Sequence, residues 1–351
     1  MSERGIAGLG LWVILAAAGL LTFVTLYDKA FPTASVDLKV TREQAQARAA
    51  EYLTARGFVL RGYQQATVFA ADDAAAVYLE KTQGMERANE LMRREVPVWY
   101  WACRWFKPLQ KEEYRVLVSP AGEIIGFRQE LEEERAGAKL AAAAAQAIAE
   151  KFLQEEAGVR LEEYELVDSS SEQEKNRTDH SFVWKKTGFQ VGEGELRLRV
   201  GVWGDYVGNL RYFFKVPEAF ERDYQRQSAQ GTLLGIVSVA FTIIFFVLAL
   251  VVFVQRYKVG DIRWRFALAF AIVLLVLLLA GAVNSFPLLK SEYPTSQNYG
   301  VYLGVVVVAI VIVSLVYGVF ILLTGASGEA LTRELRVESV QPLHELLAGR
   351  V

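Results

Sequence analysis

Few residues in this chain have types and spacings that could break a bond. Histidine occurs twice, as His180 and His344, and cysteine once, as Cys103. His344-Glu345 opens like the zinc text H-E-x-x-H, in which two histidines one helical turn apart hold the metal and the glutamate activates water. The position of the second histidine is Ala348, so the zinc face is missing. One thiol and two imidazoles exclude a Cys/His metal site, and a single cysteine excludes an internal disulfide. Asn176-Arg-Thr178 matches a glycosylation sequon, which matters only in a eukaryotic secretory setting. No Walker A text, dinucleotide fingerprint or G-x-S-x-G elbow occurs, so nucleotide hydrolysis and serine esterase chemistry lack their minimal parts. On these residues we assign no catalytic, cofactor-binding or metal-ligating position.

The elements that would carry any site are set by an uneven hydropathy. Of 351 residues 53% are hydrophobic and 22% charged, too apolar for an ordinary soluble chain, and the formal charge of −2 argues against a nucleic-acid partner. The apolar excess lies in four charge-free tracts, residues 6–27, 232–254, 266–283 and 301–323, each expected to cross the bilayer as a helix. The first exceeds a usual signal-peptide core and is read as an uncleaved anchor. The loop 255–265 carries Arg256, Lys258, Arg263 and Arg265 against Asp261, which predicts that it is cytoplasmic. Both termini then lie inside and residues 28–230 outside the membrane; Arg333, Arg336 and Arg350 in the tail agree weakly. The tracts hold no ionisable group that could relay protons or line an ion path, so a transporter subunit ranks third among the readings. Ser238, Thr242, Asn284 and Ser314 are expected to be helix-packing contacts.

The outer segment repeats itself. Gln46-Ala-Arg-Ala-Ala-Glu-Tyr-Leu53 returns as Gln146-Ala-Ile-Ala-Glu-Lys-Phe-Leu153, and Gly122-Glu-Ile-Ile-Gly126 as Gly204-Asp-Tyr-Val-Gly208. Ala45, Ala49, Tyr52 and Leu53, and again Ala145, Ile148, Ala149, Phe152 and Leu153, fall at helical spacing. Leu196, Leu198, Val200 and Val202 alternate with Arg197 and Arg199, and Leu210, Tyr212, Phe214 and Val216 with Arg211 and Lys215, as half-buried antiparallel strands do. Gly122, Gly126, Gly204 and Gly208 are expected to be structural turn glycines. The predicted fold is α+β: two tandem helix-plus-antiparallel-sheet repeats, 28–135 with a helical insertion at 72–97 and 136–230, followed by three membrane helices within 231–324 and a cytoplasmic tail, 325–351. The polar stretch 168–179 reads as an exposed loop.

Trp99, Trp101, Cys103 and Trp105 share one strand face, with Tyr100 and Phe106 opposite, and Phe182 and Trp184 take the corresponding place in the second copy. Two readings stand: packing in the core, or Trp99, Trp101, Trp105 and Trp184 lining a groove for an extended peptide beside a sheet edge.

The text Val116-Leu-Val118 through Gly122 to Gly126, and Leu198-Arg-Val200 through Gly204 to Gly208, each after an alanine-rich helix, resembles the PepSY module of protease propeptides and bacterial surface proteins. The whole arrangement, with Thr324-Gly-Ala-Ser-Gly-Glu-Ala-Leu331 after the last span, is similar to the N-terminal, non-catalytic portion of long bacterial CPBP-type (CAAX-processing type II) intramembrane metalloproteases. That family's Glu-Glu-x-x-x-Arg motif and intramembrane histidines have no counterpart here, and Glu132-Glu-Glu-Arg135 has the wrong spacing in a charged linker, so no catalytic residue carries over. The resemblance implies a non-catalytic membrane protein whose outer modules bind, sense or restrain a polypeptide or protease partner. The alternative it implies is a truncated CPBP-type protease, with zinc only if catalytic helices lie downstream.

Overall fold

The computed structural model describes residues 3–260, 262 and 264–335; the sites considered at His344, Glu345, Arg336, Arg350, Asp261 and Arg263 lie outside them. The chain divides into two compact units, residues 1–224 and 225–351.

In the first unit, α1 (Glu3–Ala30) leads through a 3-10 turn at Pro32–Ser35 into two similar halves. The first runs α2 (Arg42–Ala55), β1 (Gln64–Ala71), α3 (Asp73–Gln83), α4 (Met85–Arg94), β2 (Trp99–Phe106), β3 (Glu113–Val118) and β4 (Ile124–Glu130). The second runs α5 (Ala142–Glu155), β5 (Tyr164–Gln173), β6 (Thr178–Val191), β7 (Gly194–Trp203) and β8 (Tyr206–Lys215). All eight strands form one antiparallel sheet in the order β1-β2-β3-β4-β8-β7-β6-β5. Each half is therefore a helix and a four-stranded meander, and the meanders meet edge to edge at β4 and β8.

Local chemistry explains the helices. Thr41 and Gln44 form a capping box that satisfies donors at the start of α2, and Gly57, at φ +84°, follows its end. Ala45, Ala49 and Leu53 of α2, and Ala145, Ala149, Phe152 and Leu153 of α5, are buried against the sheet, as their spacing predicts. Small alanines let both helices lie close to the strands. The insertion at 72–97 forms two helices, α3 and α4, which close a second core with Phe214 and Val216.

The β4–β8 join is short. Gly126 faces Arg211, Phe127 faces Leu210 and Arg128 faces Asn209. Superposing Gly122–Gly126 on Gly204–Gly208 exchanges the last two of these pairs, so the halves are related by a local pseudo-twofold axis through the join. Gly122 and Gly204 adopt φ of +94° and +64° in the β3–β4 and β7–β8 turns. Gly126 and Gly208, expected in turns, lie instead within β4 and β8: at Gly208 any Cβ would collide with the Trp203 indole, and Gly126 lies beneath Leu117.

The stretch 168–179 is exposed over 168–173 but buries Arg177, and it is not a loop: it forms the end of β5, a turn and the start of β6. Each half also begins its sheet with a strand, β1 or β5, that the alternation did not reveal.

The second unit holds α6 (Glu218–Lys258, whose first residues belong to the first unit), α7 (Trp264–Asn284), α8 (Phe286–Ser291) and α9 (Tyr299–Leu335). Among the described residues three helices, not the expected four, are long and apolar enough to cross a membrane: α6, α7 and α9. In α1, which runs Glu3–Ala30, the apolar stretch so described is Ile14–Tyr27. Within the unit α7 packs along α9. Ser327 Oγ donates to Ala249 O at 3.1 Å, and Ser314 is buried. The 284–300 connection holds α8 and a tyrosine cluster in which Tyr293, fully buried, sits 4.9 Å from Tyr299 and 5.1 Å from Tyr302. The helix α9 continues past residue 323, so the expected tail begins as helix.

Candidate functional site

The aromatic row of β2 separates into two environments. Trp101, Cys103 and Trp105, at 7%, 1% and 2% exposure, lie on the face that packs against α2 and share one core with Phe182, Trp184, Leu198 and Val200. These three tryptophans, Trp101, Trp105 and Trp184, are packing residues, with no free face for a ligand. Phe106, on the opposite side as expected, is covered by the Arg104 guanidinium at 4.8 Å. Trp99 differs. It is half-buried, stacks parallel to Phe69 at 6.1 Å, and its Nε1 donates to Ser35 Oγ at 2.6 Å.

Trp99 borders a cleft of about 430 Å³, floored by Met92, Ile124, Leu196 and Tyr212 and rimmed by Lys39, Arg94, Glu95 and Glu123. A second hollow, about 360 Å³, shares Ile124, Ala157 and Tyr212 with it and lies between the ends of α2 and α5. There Arg56 pairs with Glu156, donates to Val207 O at 3.2 Å and lies 4.8–5.6 Å from the rings of Tyr52, Phe127 and Phe152. Burial pushes the Tyr212 phenol up to about 12 and raises that of Tyr52. Neither lining contains a histidine or a cysteine. These hollows can hold an apolar group.

The strand β5 offers a different surface. It is hydrogen-bonded to β6 on one side and lies at the end of the sheet. Every residue after Tyr164 is exposed, ten residues run without proline, and a bulge interrupts the register at Leu166/Asp168. An uncovered edge is a row of unpaired backbone donors and acceptors, which an extended chain can complete. The other edge, β1, leaves only Gln65 exposed.

The remaining reactive types are structural. His180 is 2% exposed, with Nδ1 2.7 Å from Ser171 Oγ and Nε2 3.0 Å from Leu140 O. Burial pushes the Cys103 thiol up to about 11, so it is no nucleophile at neutral pH. Among the described residues no group of three or more His, Cys, Asp or Glu side chains could hold a metal ion.

No known family matches. No family model, curated protein or solved structure matches the chain, so the geometry of its own surfaces carries the functional reading.

Sequence reasoning missed the charged residues that organise the first unit. Arg177, buried at 5% inside a stretch read as solvated loop, donates from Nε to both Asp179 oxygens at 2.9 Å and from Nη1 to Glu132 O at 2.7 Å and Arg135 O at 3.1 Å. It clamps the linker between the halves to the β5–β6 turn. Nothing in a polar run marks one arginine as buried. Arg56 and Glu156 were also missed, though a signal exists: each stands ten residues after the glutamine that opens its repeat, with opposite charge.

Proposed function

We propose that this chain is a membrane-anchored polypeptide-binding protein, and that its first unit takes an extended segment by strand addition at β5. The observation that carries the reading is the uncovered ten-residue β5 edge. Backbone pairing explains why the ligand is a polypeptide, since only another extended chain matches donors and acceptors along a strand. Glu165, Asp168 and Glu172 lie on one side of that edge, where they oppose pairing with a second β5 and favour a partner strand carrying Lys or Arg. The PepSY-like text agrees with a binding role that performs no bond cleavage.

Three apolar helices, together with the basic loop 255–265, support a bilayer location with residues 28–230 on the extracytoplasmic side and the C-terminus in the cytoplasm. In this proposal α1 serves as an anchor, its exposed Leu20, Leu21, Phe23 and Val24 suiting lipid.

The test uses ten-residue peptides selected for binding to the purified full chain. Adjacent strand residues point their N–H groups in opposite directions, so of Ser169→Pro and Ser170→Pro one removes an outward donor and the other a β5–β6 ladder bond. The variant that keeps the wild-type melting temperature is expected to lose the peptide. Undiminished binding by that variant overturns strand addition.

A further inference from the structure

The helices α2 to α5 pack on the sheet face that carries Trp101, Leu198 and Phe214. The register puts a different set on the opposite face, where no described helix of this unit packs. Arg115 of β3 stands directly opposite Arg128 of β4, and Arg199 of β7 directly opposite Arg211 of β8. All four are exposed, and the β4–β8 join brings the two pairs together at the centre of the sheet. Like charges at directly opposed strand positions destabilise a sheet, so this arrangement does not serve folding.

The carboxylates on this face do not cancel it: Asp168 of β5, on the same face, acts on Arg199 but forms no ion pair with it among the described residues. Glu113 serves Arg104 and Arg115, Glu130 serves Arg128, and Glu195 serves Lys185 and Arg197. Arg199 and Arg211 are left without an ion pair among the described residues. Arg199 lies 5.2 Å from the Phe213 ring, and burial together with Arg211, Arg128 and Arg197 pushes its pKa down, Asp168 acting the other way. Between the guanidinium groups the surface is apolar and low: Leu117 and Phe213 are half-buried, and Gly126 beside Arg211 adds no side chain.

We infer that this arginine face is a docking surface for an acidic polypeptide segment, whose carboxylates pair with Arg199 and Arg211 while its apolar residues rest on Leu117 and Phe213. Guanidinium forks take carboxylates bidentately, and arginine mixed with aromatic and aliphatic side chains is the chemistry of protein interfaces. A phosphate polymer or a lipid headgroup layer would satisfy the charge but leave the apolar floor uncovered. The site is independent of strand capture at β5, whose exposed charges are acidic and repel the ligand proposed here.

The test uses the full chain in nanodiscs of neutral lipid and a fluorescent peptide of alternating Glu and Leu, with a Lys/Leu peptide, inorganic polyphosphate and anionic vesicles as competing arms. The acidic peptide is expected to bind in a salt-sensitive way, to resist displacement by polyphosphate and vesicles, and to lose at least about tenfold in affinity in the Arg199→Ser/Arg211→Ser variant. That variant should melt no lower than wild type, because a repulsive pair has been removed. Should it melt lower, Arg211→Glu decides: a switch in preference to the Lys/Leu peptide upholds the site, and no switch overturns it. Unchanged affinity in the double variant overturns the proposal, as does preferential occupation of the face by polyphosphate or vesicles.

Discussion

Replacing Arg177 by Met tests whether the linker clamp holds the first unit together. The side chain of Arg177 is 6% exposed and that of its partner Asp179 12%, so the substitution strands a nearly buried carboxylate. It also removes donors from two linker carbonyls, Glu132 O and Arg135 O. Stranding one member of a buried ion pair costs about 3–5 kcal/mol. For a unit of this size each kcal/mol corresponds to roughly 2–4 °C, so the melting temperature should fall by about 6–20 °C. Arg177→Lys keeps the charge but loses the planar fork and should fall between the two. The seven tryptophans supply a fluorescence signal for thermal unfolding in nanodiscs. The double variant Arg177→Met/Asp179→Leu removes the stranded charge and should recover part of the loss. If Arg177→Met melted within about 2 °C of wild type, less than the shift for 1 kcal/mol, the clamp would contribute nothing and the argument would fail.

Three further outcomes follow from the same geometry. Arg56→Ala removes a guanidinium that touches three rings and a strand carbonyl, and should destabilise by about 1–3 kcal/mol, whereas Glu156→Ala, on an exposed partner, should cost under about 1 kcal/mol in the same melting assay. Cys103, raised from 9.0 to about 11, is favoured as the neutral thiol in the folded state; its contribution is intact below pH 9 and lost as pH rises towards 11, and maleimide at pH 7.5 should label it only after denaturation. Because that thiol stays silent, single cysteines at Ser170 and Lys258 can be read directly: the first should label from outside intact cells and the second only after permeabilisation. The reverse pattern would invert the proposed topology.

Where one face of an element is buried, its pattern reached the sequence. The i, i+4 alanines of α2 and α5 and the alternation of Leu196, Leu198, Val200 and Val202 led directly to the helices and to β7. The duplicated texts pointed to two halves of like construction. β5 escaped because, being an edge exposed on both faces, it has no burial to impose alternation, and its serines and acids read as a loop. The β4–β8 join escaped because strand order is decided between residues roughly eighty apart, which no local period encodes. Trp99 and Trp101, two residues apart and alike in type, were not separable: only the approach of Ser35 and the cleft beside Trp99 distinguishes them. The buried arginines Arg104 and Arg177 depend on partners or covering groups distant in sequence or invisible to periodicity, and so look like any other surface charge.

Amide hydrogen exchange across residues 165–173 of the full chain in nanodiscs is the most direct check on whether β5 receives a polypeptide strand. Without peptide the outward-facing amides of β5 should exchange fast, and a saturating selected peptide should protect alternate positions there while the cleft beside Trp99 is unchanged. Protection confined to that cleft, with β5 exchanging as before, would rule out strand addition at β5.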